Sequence, residues 1–252
     1  MLKITTLGTS HGDPTGIRFN TSTLLQIDNE SYLIDAGAPV NALLIKINFR
    51  FDSLKAIFLS HMHEDHVSGL PGMVKTLSKH AVEAQHTDIF FPERQAIAAF
   101  KSWMNVQHRK ISPGIINYHV SEIDKTVKYN NASIEAVPTD HLLKRNDVPS
   151  SFAYKFNTSY GKILFTGDLR FDFADFPAAA ARDCRICVCE LTHYPFENAL
   201  PFLEKCNFEK LIFTHIGDNW ADDAGLKKLS SMTNHLPYPC VISNDFEQFQ
   251  FN

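Results

Sequence analysis

The chain has 252 residues, 44% hydrophobic and 21% charged, an ordinary globular composition with enough apolar side chains for a sizeable core. That length fits one large α/β domain or two small ones. The formal net charge of -4 gives no broad basic face, so tight non-specific nucleic-acid binding is not expected, although a local basic groove stays compatible with it.

In chain order, residues 3–7 read as a strand, without the long apolar run and small-residue cleavage site of a signal peptide. Strands at 22–27 and 31–34 follow, then Asp35 at a strand end and a helix at 39–47. A strand at 54–59 runs directly into His61-Met62-His63-Glu64-Asp65-His66. Helices at 70–78 and 92–103 come next; residues 93–100 are good helix formers and Pro92 suits a first helical position. The second half brings strands at 132–137, 152–156, 162–165 and 186–190, a helix at 197–205, a strand at 210–213, a helix at 221–231 and a strand at 240–243. Strands followed by helices in each half favour a layered α/β arrangement with two sheets and outer helices. No low-complexity linker or short-period repeat divides the chain, so the expected organisation is one domain, residues 1–252, of two similar halves.

No apolar run is long enough to span a membrane. Five cysteines are an odd number, and three crowd into Cys184-Arg185-Ile186-Cys187-Val188-Cys189. Such a cluster can be a soft-metal site, but Cys187 and Cys189 alternate with Ile186 and Val188 as in a buried strand. A secreted disulfide framework is therefore not expected, and a reducing, cytoplasmic setting is.

The strongest chemical signal is the His-x-His-x-Asp-His run. A loop at a strand end can turn three imidazoles and a carboxylate toward one point, and these are ligands that zinc, manganese or iron accept. A solvated polar turn is the plain alternative, against which stands the crowding of dissimilar polar groups directly after a buried strand. His141, Asp168 and His215 also follow apolar strands. Singly they read equally well as a loop histidine, a turn residue beside Gly167 and a helix-capping group. Together they deliver polar groups to successive strand ends, which converge on one edge of a layered α/β domain.

The series Leu33-Ile34-Asp35-Ala36-Gly37, His61-x-His63-x-Asp65-His66, His141, Thr166-Gly167-Asp168 and His215 resembles the metallo-β-lactamase superfamily in order and spacing across nearly the whole chain. Leu7-Gly8-Thr9-Ser10, with Pro14 and Arg18 beyond, resembles the ribonuclease Z and phosphodiesterase branch, as does Cys189-Glu190-Leu191-Thr192 set against that branch's His-Glu-Ala-Thr segment. The resemblance implies a four-layer αββα sandwich with two divalent metal ions, zinc first with manganese or iron as alternatives. It implies that His61, His63 and His141 hold one ion, that Asp65, His66 and His215 hold the other, and that Asp168 bridges them. Asp65 thereby also counts among the catalytic residues. Asp35 would orient ligands through imidazole N–H donation to its carboxylate, or serve only as a turn carboxylate before Gly37.

Two departures stand out. Cys189 replaces the branch's histidine, and a buried thiol is a poor proton donor; His193 is the candidate to supply the imidazole, with a surface-loop role as the alternative. There is no Gly/Pro-rich insertion like the transfer-RNA-binding arm of ribonuclease Z, which points away from transfer-RNA maturation. His11 is a further candidate to face the site, and no Gly-x-Ser-x-Gly elbow is present.

The expected activity is phosphodiester hydrolysis on a small nucleotide or a nucleic-acid end. A hydroxide shared by two ions would attack phosphorus, and a protonated His193, or a metal-bound water, would help the leaving oxygen depart. Alternatives on the same ligands are thioester or lactone hydrolysis, a di-iron oxidoreductase, and a non-catalytic metal-binding or interaction protein. The expected partner is a small-molecule or nucleotide substrate, with no membrane and no extended nucleic acid; a homodimer is left open.

Overall fold

The structure is a computed structural model and describes residues 1–13, 15–80, 86–109, 111, 114–142 and 148–252. Pro14, quoted in the resemblance above, lies outside the described residues. The first half runs β1 (Leu2–Gly8), β2 (Ser22–Ile27), β3 (Glu30–Ile34), α1 (Val40–Lys46), β4 (Leu54–Phe58), α2 (Glu64–Val67), α3 (Leu70–Lys79), β5 (Thr87–Phe91), α4 (Arg94–Val106) and β6 (Ile116–Val120). The second runs β7 (Thr126–Lys128), β8 (Ala132–Pro138), β9 (Phe152–Thr158), β10 (Gly161–Phe165), α5 (Ala178–Ala181), β11 (Ile186–Leu191), α6 (Phe196–Leu203), β12 (Lys210–Ile216), α7 (Asp223–Thr233), β13 (Cys240–Ile242) and β14 (Glu247–Phe251).

These strands form two seven-stranded sheets, ordered β14-β1-β2-β3-β4-β5-β6 and β13-β12-β11-β10-β9-β8-β7. The period-2 alternation of side chains makes the layers. In β10 and β11, Ile163, Phe165, Ile186 and Val188 point to the other sheet, where they meet Ile4, Leu25, Ile34 and Phe58. Their neighbours Leu164, Cys187 and Cys189 point outward and pack under Phe196, Ala199 and Leu203 of α6. On the far side Leu33, Ile57 and Ile89 pack under α1, α3 and α4. The result is helix, sheet, sheet, helix, as the sequence led one to expect. The cysteine cluster is part of this apolar core, and Cys184, Cys187 and Cys189 are free thiols.

One local expectation fails. Pro92 is not a first helical residue: Glu93 is the extended N-cap of α4 and Arg94 begins it. Elsewhere α7 starts where Asp222 accepts a hydrogen bond from the Gly225 amide at 2.8 Å, an ordinary side-chain cap.

What places the site is strand direction. β3, β4, β5 and β6 run parallel to one another, as do β10, β11, β12 and β13. Their carboxyl ends therefore lie along one edge of each sheet, where open α/β sheets deliver functional groups. The two edges are stitched together there, with the Phe152 amide donating to the Ser60 carbonyl at 2.9 Å. Gly167 sits at this seam with φ of 60°, and a Cβ on it would lie 2.8 Å from Ser60 Cβ and 2.9 Å from the Phe152 carbonyl. Only glycine fits both the backbone angle and the space, and that turn is what aims Asp168 inward.

Candidate metal centre

Each proposed donor leaves the end of a strand. Ser60 and His61 follow β4, and His63, Asp65 and His66 sit in the turn into α2 and in its first residues. Asp168 follows β10, His193 follows β11, His141 follows β8, and His215 lies near the end of β12. Asp65, His66, His61, Asp168 and His215 are buried, His141 and His193 half-buried, and His63 exposed.

The centre is one carboxylate oxygen. Asp168 Oδ2 lies 3.5 Å from His61 Nε2, 3.3 Å from His66 Nε2, 3.7 Å from His141 Nε2, 3.6 Å from His215 Nε2 and 3.7 Å from His193 Nδ1. Asp65 Oδ2 stands 3.0 Å from His215 Nε2 and 3.3 Å from His66 Nε2. Donor atoms of His61, His63, His141 and Asp168 fall within 4.8 Å of one another, and so do those of Asp65, His66 and His215. Asp168, His193 and His215 satisfy the same spacing, which the sequence did not suggest.

The surrounding hydrogen bonds set the orientations of the rings. His66 Nδ1 donates to Asp35 Oδ2 at 2.8 Å. The Ser60 hydroxyl donates to the same Asp35 oxygen at 2.9 Å and accepts from His61 Nδ1 at 3.0 Å. His141 Nδ1 donates to the Leu169 carbonyl at 3.2 Å, and His215 Nδ1 to Thr192 Oγ1 at 3.1 Å, while the Thr192 hydroxyl itself donates to the His215 carbonyl. All four rings turn Nδ1 outward to a fixed partner and Nε2 inward toward the Asp65 and Asp168 carboxylates. This is how metal-binding histidines are held.

His61 Nε2, His66 Nε2 and Asp168 Oδ1 are buried without a hydrogen-bond partner. Buried polar atoms are nearly always paired, so three orphans at one point call for another species. A divalent cation fits the donor chemistry, since neutral imidazole and carboxylate are its usual protein ligands.

Without a metal, the cluster's charges fall unevenly. Burial, reinforced by neighbouring His66, holds His61 well below the ordinary histidine range. Burial also works against the charge of His66, but Asp168 and Asp35 outweigh it and hold that ring well above the range. Asp168 resists burial through His215, His66 and His61, which keep its carboxyl well below the usual carboxylate range.

Glu190 is the functional residue that the sequence reading quoted without giving it a role. Its buried carboxylate accepts from the amides of Leu169, Thr192 and His193 at 3.0, 2.7 and 3.1 Å, and from His193 Nδ1 at 3.0 Å. It therefore ties the loop carrying Asp168's neighbour to the loop carrying His193. Burial disfavours a charged His193, but the hydrogen bond and charge of Glu190 with the charge of Asp168 prevail and raise its pKa to about 9. Ser60 and Thr192 were likewise not singled out as site residues; nothing in a local motif announces a hydroxyl that orients a distant imidazole.

Cys189 does not face the site: its thiol sits in the helix-side core, 3.5 Å from the Tyr194 hydroxyl. Strand alternation explains this, because Glu190 is the residue of that segment that points to the edge. His11 Nε2 pairs with Asp218 at 3.0 Å and is absent from the donor clusters of the described residues.

Fold and site together define a protein of the metallo-β-lactamase fold. The chain belongs to the family described as "Anti-Pycsar protein Apyc1", whose profile matches residues 2–235. It is similar to ribonuclease Z of Methanococcus maripaludis, with 30% identity over 142 residues, which is 56% of this chain and 45% of that protein. The chain thus spans about half the length of such curated relatives. Among solved structures, the metallo-β-lactamase fold protein YhfI from Bacillus subtilis superposes with a TM-score of 0.81 at 16% identity, covering 99% of this chain and 100% of that one. The short form of human tRNase Z superposes with a TM-score of 0.75 at 19% identity, covering 99% of each chain.

Proposed function

We propose that this protein is a metal-dependent phosphodiesterase with a dinuclear site, acting on a nucleotide or a nucleic-acid end. The observation that carries this reading is the ring of five imidazole nitrogens around Asp168 Oδ2. His61, His63 and His141 would hold one ion, Asp65, His66 and His215 the other, and Asp168 would bridge them. Zinc suits these ligands, as do manganese and iron. Bound there, two divalent ions supply a water of lowered pKa and neutralise charge on the oxygens of an in-line displacement.

The chain's own residues do the rest. Asp35, Ser60, Leu169 and Thr192 hold four rings by Nδ1, the orientation that would present Nε2 to a metal ion. His193, charged at neutral pH through Glu190, stands beside Asp168 with its side chain 30% exposed, placed to hand a proton to a leaving oxygen. The relatives named ribonuclease Z support a phosphodiester substrate. No helix of the described residues is long and apolar enough to cross a membrane; the five free cysteines support a reducing, cytoplasmic setting.

The test is a hydrolysis panel on metal-refilled protein: bis(p-nitrophenyl) phosphate, cyclic nucleotides, thioesters and lactones. The proposal expects the phosphodiesters to be turned over with the higher kcat/KM. Turnover confined to the carbonyl substrates would replace it with the carboxylic-ester reading.

A further inference from the structure

Beside the metal-ligand cluster lies an open cleft of about 620 Å³, lined by His141, Leu142, Leu169, Arg170, Phe171 and His193 among others. This size is within the range of small-molecule sites, about 300–1,000 Å³. Its wall carries an aromatic ring in water: Phe171 is 70% exposed. Exposed apolar side chains are ordinary on a protein surface when scattered. Phe171 differs in how firmly it is held out.

The loop after Asp168 is pinned on both sides of Phe171. The Asp175 carboxylate accepts from the Arg170 amide and from the Asp140 amide, each at 2.9 Å, and so joins the two loops that wall the cleft. Asn198 of α6 donates to the Phe171 carbonyl at 3.1 Å. Two residues on, Phe173 is fully buried, stacks on Phe176 at 4.8 Å, and meets Tyr194 edge-on at 4.5 Å. Its φ of 59° is costly for a bulky residue and persists only where packing dictates it. The backbone of Phe171 is therefore fixed while its ring is left uncovered, next to the His141 and His193 rings, which lie 4.6 Å apart.

We infer that Phe171 is a stacking platform for the base of a nucleotide whose phosphate sits at the histidine cluster. This rests on the proposed phosphodiesterase reading and adds to it where the base goes. An aromatic face held rigid in solvent loses little freedom on binding, and every nucleobase has a π-face to lay on it. The platform gives affinity for nucleotides over plain sugar phosphates, with little choice among bases.

Calorimetric titration of metal-refilled protein with AMP and with ribose 5-phosphate, in wild type, Phe171→Ala and Phe171→Tyr, tests it. Wild type should bind AMP more tightly than ribose 5-phosphate. Phe171→Ala should weaken AMP by about ten- to a hundredfold, as loss of one stacked base does, and leave ribose 5-phosphate unchanged. Phe171→Tyr, which keeps the ring, should retain AMP binding. The inference is overturned if wild type fails to prefer AMP, or if Phe171→Ala weakens both ligands alike or neither. Hydrolysis is not read in this titration: base-dependent binding without turnover of any phosphodiester would sink the function and keep the platform, whereas turnover without base-dependent binding would do the reverse.

Discussion

Asp35 and His215 both sit at positive φ, 61° and 52°, a region that non-glycine residues enter at some cost. Both are buried at the site edge, and both are locked by what they touch: Asp35 accepts from the Ser60 amide at 2.7 Å and from His66, and His215 is held on both its ring and its carbonyl by Thr192. Strain held this way is typical of functional constellations. His193 offers a titration at the same scale. Its pKa of about 9 stands above the ordinary 6.5, so its pairing with Glu190 stabilises the metal-free protein fully below pH 6.5, and that contribution is lost as pH rises through about 9. Histidine NMR of the metal-free protein should find this elevated value, and Glu190→Gln should return it toward 6.5. A wild-type His193 titrating near 6.5 would contradict the pairing. Asp168 and the six proposed donors around it were legible because they follow apolar strands in a recognisable order. Glu190 was read only as part of a segment and Ser60 not at all, because their importance comes from partners distant in sequence, such as Asp35 25 residues before Ser60.

Four strands went unread: β5, β6, β7 and β14. In β6 only Ile116 is buried, with Asn117 and exposed His119 both donating to Asp88 of β5 at 3.0 Å, while β5 is a short run, Ile89-Phe90-Phe91, buried on both faces and so without the alternation of a half-buried strand. β7 is only three residues long. β14 does alternate, with Phe249 and Phe251 buried between exposed Gln248 and Gln250, and its signal lay in that period rather than in β-branched content. The strands that were read share a strong apolar face, and β9 shows its worth. Phe156 is fully buried and meets Tyr32, Phe58 and Phe165 edge-on at 5.5 to 5.6 Å across the central layer. Phe156→Ala should cost about 3–5 kcal/mol, seen as a lower urea midpoint with unchanged slope. A loss under about 1 kcal/mol would mean that this layer is loosely packed.

At the scale of the whole molecule, the two halves share both their core and their site. The central layer draws Leu2, Ile4 and Phe58 from one sheet and Phe152, Ile163 and Ile212 from the other, and the last strand, β14, returns to pair with β1. We propose that residues 1–252 fold as one domain; heating the metal-free protein in a calorimeter should show one transition, and two resolved transitions would separate the halves. Two sheets with outer helices could be read from the order of elements, but the return of β14 could not, since it depends on pairing across the length of the chain. The site is divided in the same way, with His61, His63, Asp65 and His66 from the first half and His141, Asp168 and His215 from the second. Ions bound there would join the halves and stabilise the folded state by mass action. The most direct test of the account is elemental analysis of protein stripped of metal and refilled with zinc or manganese. A bridging Asp168 requires saturation at two ions per chain; saturation at one would contradict the dinuclear site.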